Sequence, residues 1–146
     1  MARDTTTGSD YEAVIEMCIK RSCEKNELDA IRQSYIGSKP GGGRHRVDWE
    51  IIDKHDPNFR GLISCKYQGT SGTAEEKIAY EVIKLLFAMK MDTRYKKSWI
   101  IMGGAGWSSG MREFINNHLS DWIPEMKNCI SILTTDQLIN TNLDLG

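Results

Sequence analysis

The apolar residues of the chain follow two different spacings, and the change between them marks the elements. From Tyr11 to Ile19 they recur every three or four positions, which predicts an amphipathic helix. Short runs that are almost continuously apolar are typical of buried strands. In chain order we predict a helix at about 10–23, strands at 45–52 and 61–67, a helix at 74–89, a strand at 98–102, a helix at 111–119, a strand at 129–133 and a closing helix from 134.

This order, α-β-β-α-β-α-β-α, indicates the fold class. It predicts an α/β protein in which a central mixed β-sheet is flanked by helices. The short polar turn at 53–60 predicts that the first two strands pair as a hairpin. The polar segment 1–8 is predicted as a disordered arm before a single domain at 9–146, and 35–43 as a flexible loop. Whether the first helix continues through 28–31 is left open by the pattern.

Composition and charge narrow the class of protein. No apolar run approaches the ~20 residues of a membrane span, and the polar start lacks the core of a signal peptide, so we expect a cytoplasmic protein without membrane contact. The four cysteines lack CxxC spacing, which favours reduced thiols over a zinc site. A net charge of −1 does not favour bulk coating of nucleic acid. Positive charge nevertheless collects at 39–46 and 94–97, so a local basic face is compatible with the sequence.

Two charged residues stand on the strands of the predicted hairpin. Asp48 interrupts the apolar run of the first strand, and Lys66 lies two residues after Ser64 in the second. A carboxylate can hold a divalent cation, and a nearby lysine can position or deprotonate water. The pair therefore suits metal-assisted hydrolysis of a phosphodiester. The alternatives are a structural aspartate with a buried partner and a lysine on an exposed edge strand.

Side-chain alternation along the same strands adds candidates. Residues two apart on a strand share a face, so Gln68 points to the same side as Ser64 and Lys66. The amide oxygen of Gln68 can complete a metal shell or orient water. By the same spacing, Glu50 shares a face with Asp48 and is a secondary candidate.

The order of elements and these residues resemble the PD-(D/E)XK nuclease superfamily, which includes restriction endonucleases, Holliday-junction resolvases, and homing and phage nucleases. Its pattern has a glutamate in the first helix, an aspartate on a strand and (D/E)-x-K on the next strand. The resemblance covers about residues 9–140. It implies a restriction-endonuclease-like core in which Asp48 binds the metal, Lys66 is the motif lysine and Glu12 is the carboxylate of the first helix.

The sequence departs from this pattern at Ser64, where a second acid is expected. One carboxylate alone is a poor magnesium site, because Mg²⁺ favours carboxylates plus water and substrate phosphate. In some restriction enzymes of the superfamily this position is serine, and an acid on the following helix replaces it. The resemblance therefore makes Glu75 and Glu81 candidate metal ligands. Helical spacing puts Glu75 near the middle of the apolar face and Glu81 at its flank.

Two glutamates have a competing explanation as helix caps. Ser9 and Glu12 fit a capping box, in which the glutamate reaches back to the start of the helix. Thr73 and Glu76 fit a second one, so we leave Glu76 out of the site. For Glu12, both the metal-site and the capping interpretation remain open.

Basic and aromatic residues near these strands favour contacts to nucleic acid. Three glycines at 41–43 allow the backbone to approach DNA closely, although an ordinary flexible hairpin is the alternative. Trp107, in the glycine-rich segment 103–110, either faces a DNA groove or packs on the core. That segment lacks the lysine of a P-loop and the spacing of a dinucleotide fingerprint, so we expect no nucleotide cofactor. We expect phosphate or base contacts from Lys39, Arg44, His45 and Arg46.

Together these features predict a DNA endonuclease that uses a divalent cation, Mg²⁺ with Mn²⁺ as a substitute. Duplex cleavage needs two active sites and a chain of this size carries one, so we expect a homodimer or homotetramer on double-stranded DNA. Restriction, homing, phage and junction enzymes are not separated by the sequence. The rival interpretation is a catalytically inactive DNA-binding protein on the same fold, and Ser64 is the feature in its favour.

Overall fold

The computed structural model describes the backbone of residues 3–68 and 74–143 and the side chains of residues 11–68 and 76–143. The helices and strands follow one another in this order: α1 Arg3–Lys25, β1 Leu28–Ser38, β2 Arg44–Asp53, β3 Arg60–Tyr67, α2 Ala74–Met91, β4 Tyr95–Gly103, α3 Ser109–Asn117, α4 Leu119–Trp122, a 3-10 turn Pro124–Met126, β5 Ile130–Thr134 and α5 Thr135–Thr141.

A mixed sheet forms the centre of the described residues, with the strand order β1-β2-β3-β4-β5. β1, β2 and β3 are antiparallel neighbours, whereas β4 is parallel to β3 and β5 is parallel to β4. β2 and β3 pair from Trp49 opposite Ile63 to Ile52 opposite Arg60, which confirms the predicted hairpin. The predicted α/β class, a central mixed sheet flanked by helices, is confirmed as well.

Two apolar cores cover the two faces of this sheet. Residues of β4 alternate between them because successive strand side chains point to opposite faces, which explains the continuous apolar run at 98–102. The α2-side core lies under α2 and includes Ile78, Val82, Leu85, Ile100 and Met102. The α1-side core lies under α1 and α5 and includes Ile15, Ile19, Trp99, Ile101 and Leu138.

The strand β1 was not among the predicted elements. The segment 35–43 was expected to be a flexible loop, but its first part belongs to β1, which pairs with β2 over most of its length. The turn itself is short and closed, since the Lys39 N–H donates to the Gly43 carbonyl over 2.9 Å. Few residues of β1 are buried, and pairing with β2 supplies the hydrogen bonds that make it a strand.

The first helix also begins earlier than predicted. α1 starts at Arg3, inside the segment 1–8 for which disorder is expected, and it ends at Lys25. The disordered arm stays a prediction for residues 1 and 2, which lie outside the described part. Among the described helices, none is both long and apolar enough to cross a membrane.

Candidate active site

The candidate site lies where β2 and β3 separate. Pairing between these strands ends at Trp49 and Ile63, and Asp48 is the preceding residue of β2. In a regular strand, Val47 would share a face with Trp49 and Ile51. Instead Val47 packs in the α2-side core, whereas Trp49 and Ile51 pack in the α1-side core. The side-chain alternation of β2 therefore shifts at Asp48.

The neighbouring strand β1 is irregular at the same level. Arg32 lies opposite Trp49 and Ser34 opposite Val47, so Gln33 faces Asp48. The φ angle of Gln33 is 53°, a left-handed value that is uncommon for a residue with a side chain. The shift in β2 thus coincides with a backbone irregularity in its partner strand.

Asp48 fills the gap that opens between the two strands. Its Oδ2 accepts a hydrogen bond of 2.7 Å from the backbone N–H of Cys65, a donor that has no ladder partner on β2 at this level. Burial raises the pKa of Asp48, and the nearby charge of Glu81 adds to this effect. The Cys65 N–H and the charges of Lys66 and Arg46 act in the opposite direction. Asp48 is therefore a half-buried carboxylate with a raised pKa at the mouth of the strand gap.

Glu50 does not share the face of Asp48, so that prediction was wrong. Its carboxylate accepts hydrogen bonds from Ser34 Oγ at 2.7 Å, Arg60 Nη1 at 2.8 Å and Tyr95 Oη at 2.9 Å. Burial would raise the pKa of Glu50, but these three donors and the Arg60 charge lower it below its usual value. The physical reason for the error is the shift at Asp48, which interrupts the two-residue alternation.

Lys66 points into the α2 side of the sheet and meets Glu81. The Lys66 Nζ lies 3.0 Å from Glu81 Oε1, and the Lys84 Nζ lies 3.1 Å from the same oxygen. The Glu81 side chain is only 4% exposed. Burial would raise the pKa of Glu81, but the two ammonium groups lower it. Glu81 is consequently held as a buried carboxylate between two lysines.

The position of β3 removes one alternative for Lys66. β3 lies between β2 and β4, so Lys66 is not on an edge strand of the described sheet. Its side chain remains 26% exposed, which leaves part of it accessible from outside. Lys66 is therefore partly accessible to solvent, while its ammonium group contacts the buried Glu81.

Ser64 occupies the place of the expected second acid and is 3% exposed. The acid that lies beside Lys66 comes from α2, as the resemblance implied, and it is Glu81. The side chain of the other candidate, Glu75, lies outside the described residues, although its backbone belongs to α2. Thr73, proposed as a cap with Glu76, lies outside them too.

Gln68 joins the end of β3 to the glycine-rich segment. Its Nε2 donates to the Gly106 carbonyl at 2.8 Å, and its own carbonyl accepts the Gly106 N–H at 2.7 Å. Its backbone N–H also donates to the Gly103 carbonyl at 3.0 Å. The side chain thereby anchors this loop, and its expected part in a metal shell stays a prediction.

Trp107 packs on the core, so the expected DNA contact was wrong and the alternative is correct. It is 4% exposed in the α2-side core, and its Nε1 donates to the Gly103 carbonyl at 2.7 Å. The glycines around Trp107 led to the expectation of an open loop. A large aromatic side chain whose N–H has a hydrogen-bond acceptor is nevertheless stable in the core.

The four basic residues expected to contact DNA divide into two groups. Lys39, Arg44 and Arg46 are exposed on the β1–β2 hairpin. His45 is 2% exposed, and neither ring nitrogen has a hydrogen-bond partner among the described residues. The expected phosphate or base contact of His45 is therefore corrected: alternation along β2 turns this ring inward while its neighbours face solvent.

Glu12 borders a cavity of about 220 Å³ on the α1 side, and Asp48 lines the same cavity. The Glu12 Oε2 lies 3.4 Å from Arg32 Nη2, and the Glu12 side chain is 67% exposed. The capping interpretation was wrong, because α1 is helical from Arg3 and Glu12 stands in its interior. A place for Glu12 in the site agrees with the shared cavity and stays a prediction.

The donor set is compatible with a magnesium ion that keeps water ligands. No group of three His, Cys, Asp or Glu side chains capable of holding a metal occurs among the described side chains. Mg²⁺ in such enzymes needs only one or two carboxylates together with water and substrate phosphate. Asp48 and Glu81 are two carboxylates at this end of the sheet, and the Glu81 charge raises the pKa of Asp48. These residues fit Mg²⁺ better than Zn²⁺, which favours nitrogen and sulfur ligands.

Lys84 is the residue of this cluster that sequence reasoning missed. It stands three positions after Glu81, a spacing at which helix side chains are neighbours. The spacing of Glu81 and Lys84 is visible in the sequence. Only the structure shows that Glu81 points toward the sheet, where it contacts Lys66 as well as Lys84. Gln33 was missed as well, because a left-handed backbone conformation is expected from the sequence only at residues such as glycine and asparagine.

Comparison with known proteins agrees with this geometry. No curated protein matches the chain. The family described as PD-(D/E)XK nuclease superfamily domain matches residues 7–143, which is nearly the whole sequence. Nucleases of this superfamily typically use divalent metals. The match over nearly the whole sequence leads to one conclusion: the chain belongs to the PD-(D/E)XK nuclease superfamily.

Proposed function

We propose that the protein is a DNA endonuclease that hydrolyses phosphodiester bonds with a divalent cation, Mg²⁺ or in its place Mn²⁺. The observation that carries this proposal is the buried Glu81 carboxylate 3.0 Å from Lys66 of β3, the strand next to β2, which carries Asp48. Glu81 supplies the acid that Ser64 does not. This arrangement supports the proposal, because Glu81 is a second carboxylate in contact with Lys66.

In this proposal the side chains have separate tasks. Asp48 and Glu81 would hold the cation, which when bound neutralises phosphate charge and favours deprotonation of water. The Lys66 ammonium positions the attacking water or stabilises the extra negative charge on the phosphate as the P–O bond to the leaving oxygen breaks. Hydrolysis adds the water oxygen to phosphorus, and its protons go to the leaving oxygen and to solvent.

The proposed substrate and assembly follow from the size of the chain. One protomer carries one such site, and a double-strand break needs two. A homodimer, or a homotetramer built from dimers, with two-fold symmetry would present two sites to the two antiparallel strands of a DNA duplex.

Plasmid cleavage tests the proposal. We expect wild type to cut supercoiled DNA with Mg²⁺ or Mn²⁺ and not with EDTA. Asp48→Asn, Glu81→Gln and Lys66→Ala should each lower the cleavage rate about 100-fold or more, because each removes charge from the reacting centre. Circular dichroism of each variant checks that the fold is retained.

A matched control comes from the same helix. Glu76 is exposed on α2, so Glu76→Gln makes the same chemical change as Glu81→Gln outside the site and should cut like wild type. Equal rates for Glu81→Gln and Glu76→Gln would remove Glu81 from the mechanism. DNA binding by wild type with no cleavage under either metal would favour the rival, an inactive DNA-binding protein.

A further inference from the structure

The hairpin formed by β1 and β2 has an unusual charge for this chain. We call residues 34–46 the arm. The segment 33–47 contains Lys39, Arg44 and Arg46 and no aspartate or glutamate, although the whole chain has a net charge of −1. Such a local excess of positive charge is an electrostatic footprint for an anionic partner.

The arm has one buried face and one exposed face. On the buried side, Ile36 packs against the α2-side core and His45 is 2% exposed. On the other side, Tyr35 lies opposite Arg46, and the Arg44 guanidinium stacks over the Tyr35 ring at 3.8 Å. Tyr35 is 54% exposed, although large aromatic side chains are usually covered. The exposed face therefore combines an aromatic ring with two arginines.

The tip of the arm is closed and holds this face in place. The Lys39 N–H donates to the Gly43 carbonyl, and the Gly42 N–H donates to the Lys39 carbonyl at 3.0 Å. Gly41, Gly42 and Gly43 all have positive φ angles, a backbone that residues with side chains rarely adopt. Arg44 is consequently presented from an ordered turn and is already stacked, so binding costs it little conformational entropy.

The arm also has a defined reach from the candidate site. Arg44, Arg46 and Asp48 are alternate residues of one strand, β2. At ~3.3 Å per residue, Arg46 lies roughly 7 Å and Arg44 roughly 13 Å from Asp48 along the strand. The major groove of B-DNA is about 12 Å wide. The span from Asp48 to Arg44 therefore matches the distance across that groove.

We propose that the exposed face of the arm lies across a groove of duplex DNA, with Asp48 at the scissile phosphate of one strand and Arg44 on a phosphate of the other. This inference rests on the proposed function for the identity of the substrate. Glu12 and Glu16 of α1 do not oppose it fully, since they are paired with Arg32 at 3.4 Å and 3.1 Å. Arg44 thus makes the protein selective for two strands over one.

Binding measured in EDTA tests this inference apart from catalysis. We would follow the fluorescence anisotropy of a labelled duplex and of its isolated strand over a series of salt concentrations. Arg44→Gln should weaken duplex binding about tenfold, the worth of one charge-assisted contact. It should also reduce the slope of log K against log salt by about one. Binding of the single strand should change little, and Arg44→Lys should keep the slope.

Arg94→Gln is the matched control, because Arg94 is an exposed arginine paired with Asp92 at 2.6 Å and lies just before β4. The inference is overturned if Arg44→Gln binds like Arg94→Gln, if it loses both forms of DNA equally, or if wild type does not bind duplex. Plasmid cleavage separates the two proposals. If the protein cleaves plasmid and Arg44→Gln has no effect, the nuclease function is supported and the DNA contact of the arm is rejected. If duplex binding depends on Arg44 but no cleavage occurs, the DNA contact of the arm is supported and the nuclease function is rejected.

Discussion

At the scale of single residues, the candidate site depends on charged side chains that are buried from solvent. Glu81 is 3% exposed, and burying an unpaired carboxylate would cost several kcal/mol. Lys66 and Lys84 offset that cost by contacting the same oxygen at 3.0 Å and 3.1 Å. Ser64 stands where the superfamily pattern has an acid, and the acid that contacts Lys66 comes instead from another element, α2.

His45 is the residue whose burial is least compensated, and it gives a prediction about stability. Because both ring nitrogens lack partners among the described residues, His45→Phe should leave the unfolding free energy unchanged or raise it by about 1 kcal/mol. Burial lowers the pKa of His45, Glu81 opposes this, and Lys84 and Lys39 reinforce it. Below about pH 6.5 the unfolded chain binds a proton that the folded chain does not, so stability falls with falling pH.

Urea unfolding at about pH 5.5 and about pH 7.5 measures this effect. Wild type should lose more stability between the two values than His45→Phe does. His55→Gln is the control, since it removes a histidine whose side chain is 70% exposed. An identical pH dependence for wild type and His45→Phe would contradict the interpretation.

At the scale of elements, the approach of α1 to β4 determines how the candidate cavity is closed. Tyr11 lines the cavity with Asp48, and its hydroxyl lies 3.4 Å from the Ile101 carbonyl as donor. Gly103 leaves the space that the Tyr11 ring occupies, because a Cβ at this position would overlap the ring. The Tyr11 ring can therefore lie this close to β4 only because residue 103 has no side chain.

Gly103→Ala tests this contact between elements. The added methyl group must displace Tyr11, so we expect the free energy of unfolding to fall by about 1–3 kcal/mol in urea titrations. The double variant Tyr11→Ala with Gly103→Ala should be less destabilised than the sum of the two single variants, because the overlap is then absent. Strict additivity would show that the two residues do not meet.

At the scale of the whole molecule, the proposed function needs two protomers to cut both strands of a duplex. Each protomer of such a dimer carries its own Asp48, Lys66 and Glu81, and each cuts one strand. The assembly then decides whether the product is a nick or a linear molecule, although the chemistry is identical in both subunits.

Mixed assemblies give the corresponding prediction. Wild type should convert supercoiled plasmid directly to the linear form. Wild type refolded together with an excess of Lys66→Ala should give mainly nicked circles, because most active sites are then paired with an inactive one. Sedimentation of the free protein and of its DNA complex reports the number of protomers. Linear product in unchanged proportion from the mixture would contradict the dimer.

How much of the site was predictable differs from residue to residue. The hairpin of β2 and β3 followed from local spacing. The burial of Trp107 did not follow from local spacing, since a tryptophan in a glycine-rich segment has the same local pattern whether it is exposed or buried. The choice of Glu81 as the acid beside Lys66 required the packing of α2 on the sheet.

The sequence by itself determined the elements other than β1, the mixed sheet and the superfamily, because hydrophobic period and motif spacing are properties of neighbouring residues. Only the tertiary structure decided the acid that contacts Lys66, the strand character of β1 and the burial of His45. Each of these depends on residues distant in the chain: α2 brings Glu81 to Lys66, and β2 gives β1 its hydrogen bonds. The shift at Asp48 belongs to this second group, since it arises where pairing with β3 ends and Gln33 of β1 turns left-handed.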